Sequence, residues 1–158
     1  MFREMRRAHQ ALSREECIRL LTEEKRGVLS LLGDGGYPYG VPLNHYYCPE
    51  DGCLYFHGGR AGHRVDAFRG CDRASFCVYD EGVSRPGEWA KNVKSVILFG
   101  TLEEVSDREE IYRISRLLSL KFTDDEAYIR EEVEKSGPAT MLLRLRIQHM
   151  TGKLVNEA

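Results

Sequence analysis

Eight consecutive residues, His57-Gly58-Gly59-Arg60-Ala61-Gly62-His63-Arg64, hold two histidines, two arginines and three glycines. Glycines let a backbone approach a ligand closely, and the four basic side chains supply hydrogen-bond donors and positive charge. An apolar strand, Cys53-Leu54-Tyr55-Phe56, leads into this stretch. An amphipathic helix from Ala61 to Arg69 follows it, with Ala61, Val65 and Phe68 on one side and Gly70 as its C-cap. The first N–H groups and the dipole of such a helix favour an anion. The physical reading is a phosphate-binding joint between strand and helix. Taken singly, His57 also reads as a strand-end histidine satisfied by backbone, and Arg60 and Arg64 as solvated charge. The residues alone leave both readings open.

Other chemistries have less support. Cys48, Cys53, His57 and His63 are four possible metal ligands, but their spacing matches no usual zinc pattern. We therefore expect no metal. No residue marks a cysteine with a lowered thiol pKa, so a Cys–His nucleophile is not indicated. There is no GxGxxG after a strand and no Gly-Lys-Ser/Thr, so a phosphate would be held by another geometry.

The elements that must position the joint can be read along the chain. Met1 to Leu12 forms an arm. Ser13 and Glu16 form a capping box that opens a helix with Cys17, Leu20 and Leu21 on its buried stripe. Gly27 to Leu32 is a strand, Gly33 to Gly36 a hairpin turn, and Tyr37 to Tyr47 the returning strand, its Pro38 and Pro42 restricting it to an edge or bulge. After a turn at Cys48 to Gly52 comes the strand that enters the joint. Ala74 to Tyr79 is a fourth strand. Asp80 to Asn92 is a polar loop carrying Trp89. Ser95 to Leu102 is a strand apolar enough for burial on both faces. Ser106 or Asp107 caps a helix bearing Ile111, Ile114, Leu117 and Leu118. A more exposed helix runs from Asp124 to Lys135, broken by Gly137-Pro138. Thr140 to Ile147 is a last strand, with Leu143, Leu145 and Ile147 opposite Arg144 and Arg146. His149 to Ala158 shows no pattern. Six strands in hairpin order with helices at the edges predict a mainly β, closed or partly closed antiparallel barrel, as a single domain over residues 1–158.

Composition sets outer bounds. The 158 residues suffice for one core, and a formal net charge of −2 argues against general nucleic-acid binding. Five cysteines with no CxxC pair read as free core residues. No secretory apolar stretch or membrane-length run is present, so a cytoplasmic protein without a membrane role is expected.

Four blocks in order carry a resemblance. They are Gly-Val-Leu-Ser-Leu from Gly27, Gly-Tyr-Pro-Tyr-Gly-Val-Pro-Leu-Asn from Gly36, Leu-Tyr-Phe-His-Gly with Gly-His-Arg-Val-Asp from Leu54, and Lys-Ser-Val-Ile-Leu-Phe-Gly from Lys94. From about Ser13 to Lys153 the chain resembles the pyridoxamine-phosphate-oxidase-like flavoproteins, in particular their nitroimidazole-resistance branch. The resemblance implies a six-stranded split β-barrel that forms a homodimer with FMN at the subunit interface. It implies that Phe56, His57, Gly58 and Gly59 border the cofactor and that His63 and Arg64 reach its phosphate. Pro42, Leu43 and Asn44 would face the flavin ring, and Lys94, Ser95 and Val96 would contribute across the interface. His57 would handle the substrate; the position of Trp89 alone, in the loop before the fifth strand, suggests that it covers the ring. The implied activity is a reductase passing electrons from a reduced nicotinamide or another donor to a small aromatic or nitro-aromatic acceptor. Alternatives within the same likeness are a haem- or deazaflavin-binding split barrel and a non-enzymatic flavin carrier or sensor. The family's oxidases proper carry a C-terminal basic segment with no counterpart here, so oxidation of pyridoxine phosphate is not expected.

Overall fold

The sequence predicts one strand from Tyr37 to Tyr47. The structure, a computed structural model describing residues 1–158, makes two. β1 (Arg26–Leu32) pairs along its whole length with β2 (Pro38–Asn44), and β3 (Tyr46–Cys48) then sets off in another direction. The break is His45, fully buried. Its Nε2–H donates to the Leu21 carbonyl at 2.7 Å, and its ring packs edge-on to Phe76 at 4.9 Å. The Lys121 ammonium donates to the carbonyls of His45 and Glu24 at 2.8 and 2.7 Å. Backbone that leaves a sheet must find other partners when buried; Lys121 supplies one to the His45 carbonyl, while the imidazole ties the break to α1.

The remaining strands are β4 (Cys53–Gly59), β5 (Arg73–Tyr79), β6 (Val83–Ser84), β7 (Lys91–Val105) and β8 (Thr140–Asn156). The helices are α1 (Arg14–Glu23), α2 (His63–Gly70), α3 (Arg108–Ser119) and α4 (Glu126–Ser136). All eight strands form one antiparallel sheet in the order β2-β1-β5-β7-β8-β4-β3, with β6 added beside β7. The sheet curls into a half-barrel, mainly β with peripheral helices, as expected. The count exceeds the six strands predicted because His45 divides one strand and the polar loop contributes the two-residue β6.

Several boundaries are corrected. β8 runs on through the tail to Asn156, paired with β7 throughout. The tail shows no alternation because each of its faces mixes polar and apolar residues, Met150, Leu154 and Asn156 on one and His149, Lys153 and Val155 on the other, and a bulge opposite Phe99 and Gly100, which leaves Gln148 without a partner, shifts their phase from that of the strand before it. β7 spans fifteen residues, and only one of its faces is buried. Val96 and Leu98 point into the core, whereas Ile97 and Phe99 remain 44 % and 40 % exposed. α2 starts at His63 rather than Ala61, and Cys71, not Gly70, is its C-cap.

The Ser13–Glu16 capping box forms as predicted, and Cys17, Leu20 and Leu21 are buried. Cys17, Cys48 and Cys53 are also buried, and all five cysteines are free. The N-terminal arm lies along β8: Leu12 N–H donates to the Gly152 carbonyl at 3.0 Å, and Phe2 stacks on Phe99 and His149. β4 divides its side chains between two cores. Leu54 and Phe56 join the main barrel core, while Cys53 and Tyr55 pack with Ile111 and Ile114 under α3. No helix is long and apolar enough to cross a membrane.

Burial pulls the His45 imidazole down to about 4, with the nearby Lys121 ammonium acting the same way. In the unfolded chain the same group titrates near ~6.5. Between those values the unfolded state binds a proton that the folded state does not. Stability should therefore fall as pH drops from 6.5 towards 4, by up to about 3 kcal/mol. Urea unfolding across that window reads the slope, and His45→Gln should flatten it. An unchanged slope in the variant would show that other groups cause it.

Candidate functional site

The two ends of the curled sheet approach each other without closing. β2 is hydrogen-bonded to β1 alone, so alternate backbone groups on its other side have no strand partner. β4 pairs with β3 only over Cys53 to Tyr55, which leaves Phe56 to Gly59 with β8 on one side and an open edge on the other. The cleft between these edges has a volume of about 420 Å³ and is lined by Arg26, Pro42, Leu43, Asn44 and His57. That lies within the ~300–1,000 Å³ of ordinary cofactor pockets.

Side-chain alternation on β4 decides which groups face where. Phe56 is fully buried and packs on Phe76 at 5.2 Å, so only its backbone can border the cleft. His57 follows Cys53 and Tyr55 onto the α3 side. Gly58 falls on the α2 side, and there the Arg64 guanidinium occupies the space that a Cβ would fill. Arg64 donates from Nη2 to the Gly59 carbonyl at 3.1 Å. No other residue type fits position 58 without displacing this arginine. Gly62, at φ 109°, makes the turn into α2, and no side chain caps that helix. The joint thus presents an uncapped helix start, a glycine pair and a guanidinium together, which are the parts of an anion site.

His57 and Arg64 approach the open edge from opposite faces of β4. Burial pulls the His57 imidazole below its ordinary value, and repulsion from Arg64 adds to the effect. Burial also lowers the Arg64 guanidinium somewhat, without threatening its charge. His57 is therefore neutral near pH 7, with one ring N–H to donate and one nitrogen to accept.

Not every residue of the joint converges on the cleft. Arg60 turns away to pair with Glu104 at 3.0 Å. His63 stacks on Tyr39 at 4.0 Å, with its Nε2 3.8 Å from Asp34, so it leans towards the β1–β2 hairpin. Lys94, Ser95 and Val96 lie on β7, separated from β2 by β1 and β5, and line no wall of the cleft. The Val96 side chain is in the core, and the Lys94 N–H is bound to Asp80. Trp89 is 81 % exposed on the β6–β7 connection. Within one chain these residues cannot reach the cleft.

The sequence reading misses a second wall. Beside His57 and Asn44 a further pocket of about 300 Å³ runs up between α3 and α4. One of its residues, Ser115, stands on the stripe of Ile111 and Leu118, where a serine among apolar neighbours is the available signal. Arg26 is missed as well, because a strand-start arginine has no distinguishing pattern.

With this geometry in hand, the chain can be compared with known proteins. Residues 13–154 match the pyridoxamine 5'-phosphate oxidase family. The chain belongs to that family. No curated protein matches it by sequence. Several solved structures share its fold. A candidate 5-nitroimidazole antibiotic resistance protein from Bacteroides thetaiotaomicron aligns with a TM-score of 0.76 at 18 % identity, covering 92 % of this chain and 87 % of that one. An FAD-binding protein from Mesorhizobium loti aligns at 0.65 with 25 % identity, over 92 % and 97 % of the two chains. An FAD- and haem-binding protein from Mycobacterium smegmatis aligns at 0.74 with 24 % identity, over 94 % of this chain and 74 % of that one. The pyridoxamine 5'-phosphate oxidase family match spans the whole barrel, and it takes in both edges of the cleft.

The charge on Arg64 should be measurable at His57. Arg64→Gln should raise the His57 pKa part of the way towards its ordinary value and leave the depression that burial causes. An NMR titration of the imidazole ring protons reads this. An unchanged value would show that the two groups do not interact.

Proposed function

We propose that the protein is a homodimeric, FMN-dependent reductase of small aromatic or nitro-aromatic acceptors, working in the cytoplasm. One observation carries this reading: the open cleft between β2 and β4 has a neutral imidazole on its wall, and one residue further along β4, on its other face, a guanidinium lies over a glycine. The residues present fit FMN. Arg64, with the uncapped start of α2 and the bare backbone of Gly59, would hold the phosphate. The unpaired edge of β2 at Pro42 to Asn44 and the Asn44 amide would meet the polar edge of the ring, with Leu43 against its apolar face. Family membership and flavin-binding structural neighbours support the cofactor class.

A bound flavin would supply two-electron transfer, which no side chain of this chain can perform. The protein's own part is to bind, orient and exclude water. His57 would orient the acceptor through a hydrogen bond from its ring N–H, and the protons would come from water. For a nitro-aromatic acceptor, two electrons and two protons convert the nitro group to a nitroso group and release water. A reduced nicotinamide or another donor replaces the electrons.

A second copy of the chain is the natural cover for the apolar outer face. Val28, Cys77 and Ile97 lie level across β1, β5 and β7, with Phe99 two positions further on. Val28, Ile97 and Phe99 are exposed in the single chain. An apolar face crossing three strands suits an obligate interface. A second copy would also give Lys94, Ser95 and Trp89 a route to a cleft that they cannot reach in their own chain.

Two sets of variants test this reading. Arg64→Ala should weaken FMN binding by ~1.5–3 kcal/mol in a fluorescence titration, the value of a charge-assisted hydrogen bond. His57→Ala should retain FMN and lose turnover of nitro-aromatic acceptors under anaerobic conditions. Unchanged FMN affinity in the first, or normal turnover in the second, would remove that residue from its role. Ile97→Arg should convert a two-chain species into a single chain by light scattering, with loss of FMN affinity. A wild-type protein that is already a single chain would contradict the dimer.

A further inference from the structure

The cleft and the pocket between α3 and α4 share two wall residues, Asn44 and His57. A third polar side chain reaches the same junction. Arg26 lines the cleft, and its guanidinium carbon lies 5.8 Å from the centre of the Phe122 ring, which lines the pocket. The Lys25 ammonium lies 5.5 Å from the centre of the same ring. Neither cation takes part in an ion pair. The side chains of Arg26, Asn44 and His57 also make no hydrogen bond within the protein. A guanidinium, an amide and an imidazole thus meet at one junction with their N–H donors unused.

The phosphate end of the cofactor does not account for Arg26. β1 and β2 pair with Arg26 opposite Asn44, at the last residue of β2. α2 starts beside Tyr39, on which His63 stacks. Tyr39 and Asn44 are about 16 Å apart along an extended strand. Arg64, in the first turn of α2, and Arg26 would therefore meet different groups. The pocket that adjoins Arg26 is apolar along Leu118, Phe122, Ile129 and Val133. Its one acidic lining residue, Glu132, stands on α4 and pairs with neither cation.

We propose that the acceptor is an aromatic acid, its carboxylate held by Arg26 and its ring seated in the pocket between α3 and α4. The proposal rests on the flavin reading of the adjoining cleft. The Arg26 guanidinium can donate two parallel N–H bonds to a carboxylate. Arg26 is exposed in the free protein. A ring laid against Phe122 would displace water from the guanidinium and so strengthen the pairing. Repulsion from Glu132 would turn the carboxylate away from α4, which favours one orientation of the acid. A neutral molecule of the same shape would fill the apolar slot and leave Arg26 unpaired. Arg26 therefore adds what His57 alone lacks, namely a choice between acceptors by charge.

The test uses two probes that share a ring and differ in charge, 4-nitrobenzoate and 4-nitrobenzamide. Their dissociation constants are measured calorimetrically with the oxidised, FMN-loaded protein, without turnover. The benzoate should bind at least about tenfold tighter than the benzamide. Arg26→Gln should remove that preference and leave benzamide affinity, FMN affinity and oligomeric state unchanged. Arg26→Lys, which keeps the charge, should retain part of the preference. Equal affinity for the two probes, tighter binding of the benzamide, no measurable binding of either, or a preference that survives in Arg26→Gln overturns the proposal. Loss of FMN affinity in Arg26→Gln would assign the guanidinium to the cofactor, and a changed oligomeric state would assign it to a subunit contact; either result overturns the proposal as well. Failure of the wild-type protein to take up FMN overturns the functional reading instead. The same two probes, measured on the flavin-free wild type and Arg26→Gln, then decide separately: a preference for the benzoate that depends on Arg26 supports the anion site, and its absence overturns it.

Discussion

The break at His45 is the constraint from which the rest of the architecture follows. One hydrogen bond to the Leu21 carbonyl and one ammonium shared between His45 and Glu24 hold the chain out of the sheet at that point. Were Pro38 to Cys48 a single strand, its two halves would lie in one line. Instead β2 closes one end of the sheet and β3 joins β4 at the other. The two ends face each other with their hydrogen-bonding edges unpaired, and the cleft is the space between them. Burial keeps the imidazole uncharged, down to about 4, so the pin is a neutral group in a dry setting. Lys121, which burial brings down to about 8, remains charged near neutrality while it holds the carbonyls.

The cleft has a division of labour that strand geometry imposes. Consecutive residues of β4 point to opposite faces, so His57 and the Gly58–Arg64 contact cannot share a side. The guanidinium and the glycine pair therefore look towards α2, and the imidazole towards α3 and α4. That separation suits a long ligand with a charged tail and a flat ring lying along an open strand edge. It also explains why the second pocket belongs to the helices: α3 packs on the face of β4 to which His57 points.

How much of this was legible in the sequence depends on the range of the interactions. Local signals read true. The capping box at Ser13, the helical stripe of Ile111, Ile114 and Leu118, and the alternation of Leu143, Leu145 and Arg146 are written in neighbouring residues, and each forms as read. The glycine-rich joint also stood out, and the space that a Cβ at Gly58 would take proves to hold the Arg64 guanidinium, which any larger residue would have to move. Signals that depend on distant partners were illegible. His45 reads as an ordinary strand residue until Leu21 and Lys121 are placed beside it. The C-terminal half of β8 is hidden because both of its faces mix polar and apolar residues. The doubly apolar strand at Val96 to Phe99 is read correctly as two apolar faces, but within one chain the sheet buries only one of them. Arg60 and His63 match the joint in composition and go elsewhere, because Glu104 and Tyr39 lie closer to hand.

The central claim is that the gap between β2 and β4 holds FMN, and the absorption spectrum of the purified, FMN-equilibrated protein tests it most directly. The account predicts two broad bands, in the near-ultraviolet and the blue, that stay with the protein through gel filtration at about one flavin per chain. A colourless protein that does not take up added FMN, or a sharp Soret band in place of the flavin bands, would contradict it.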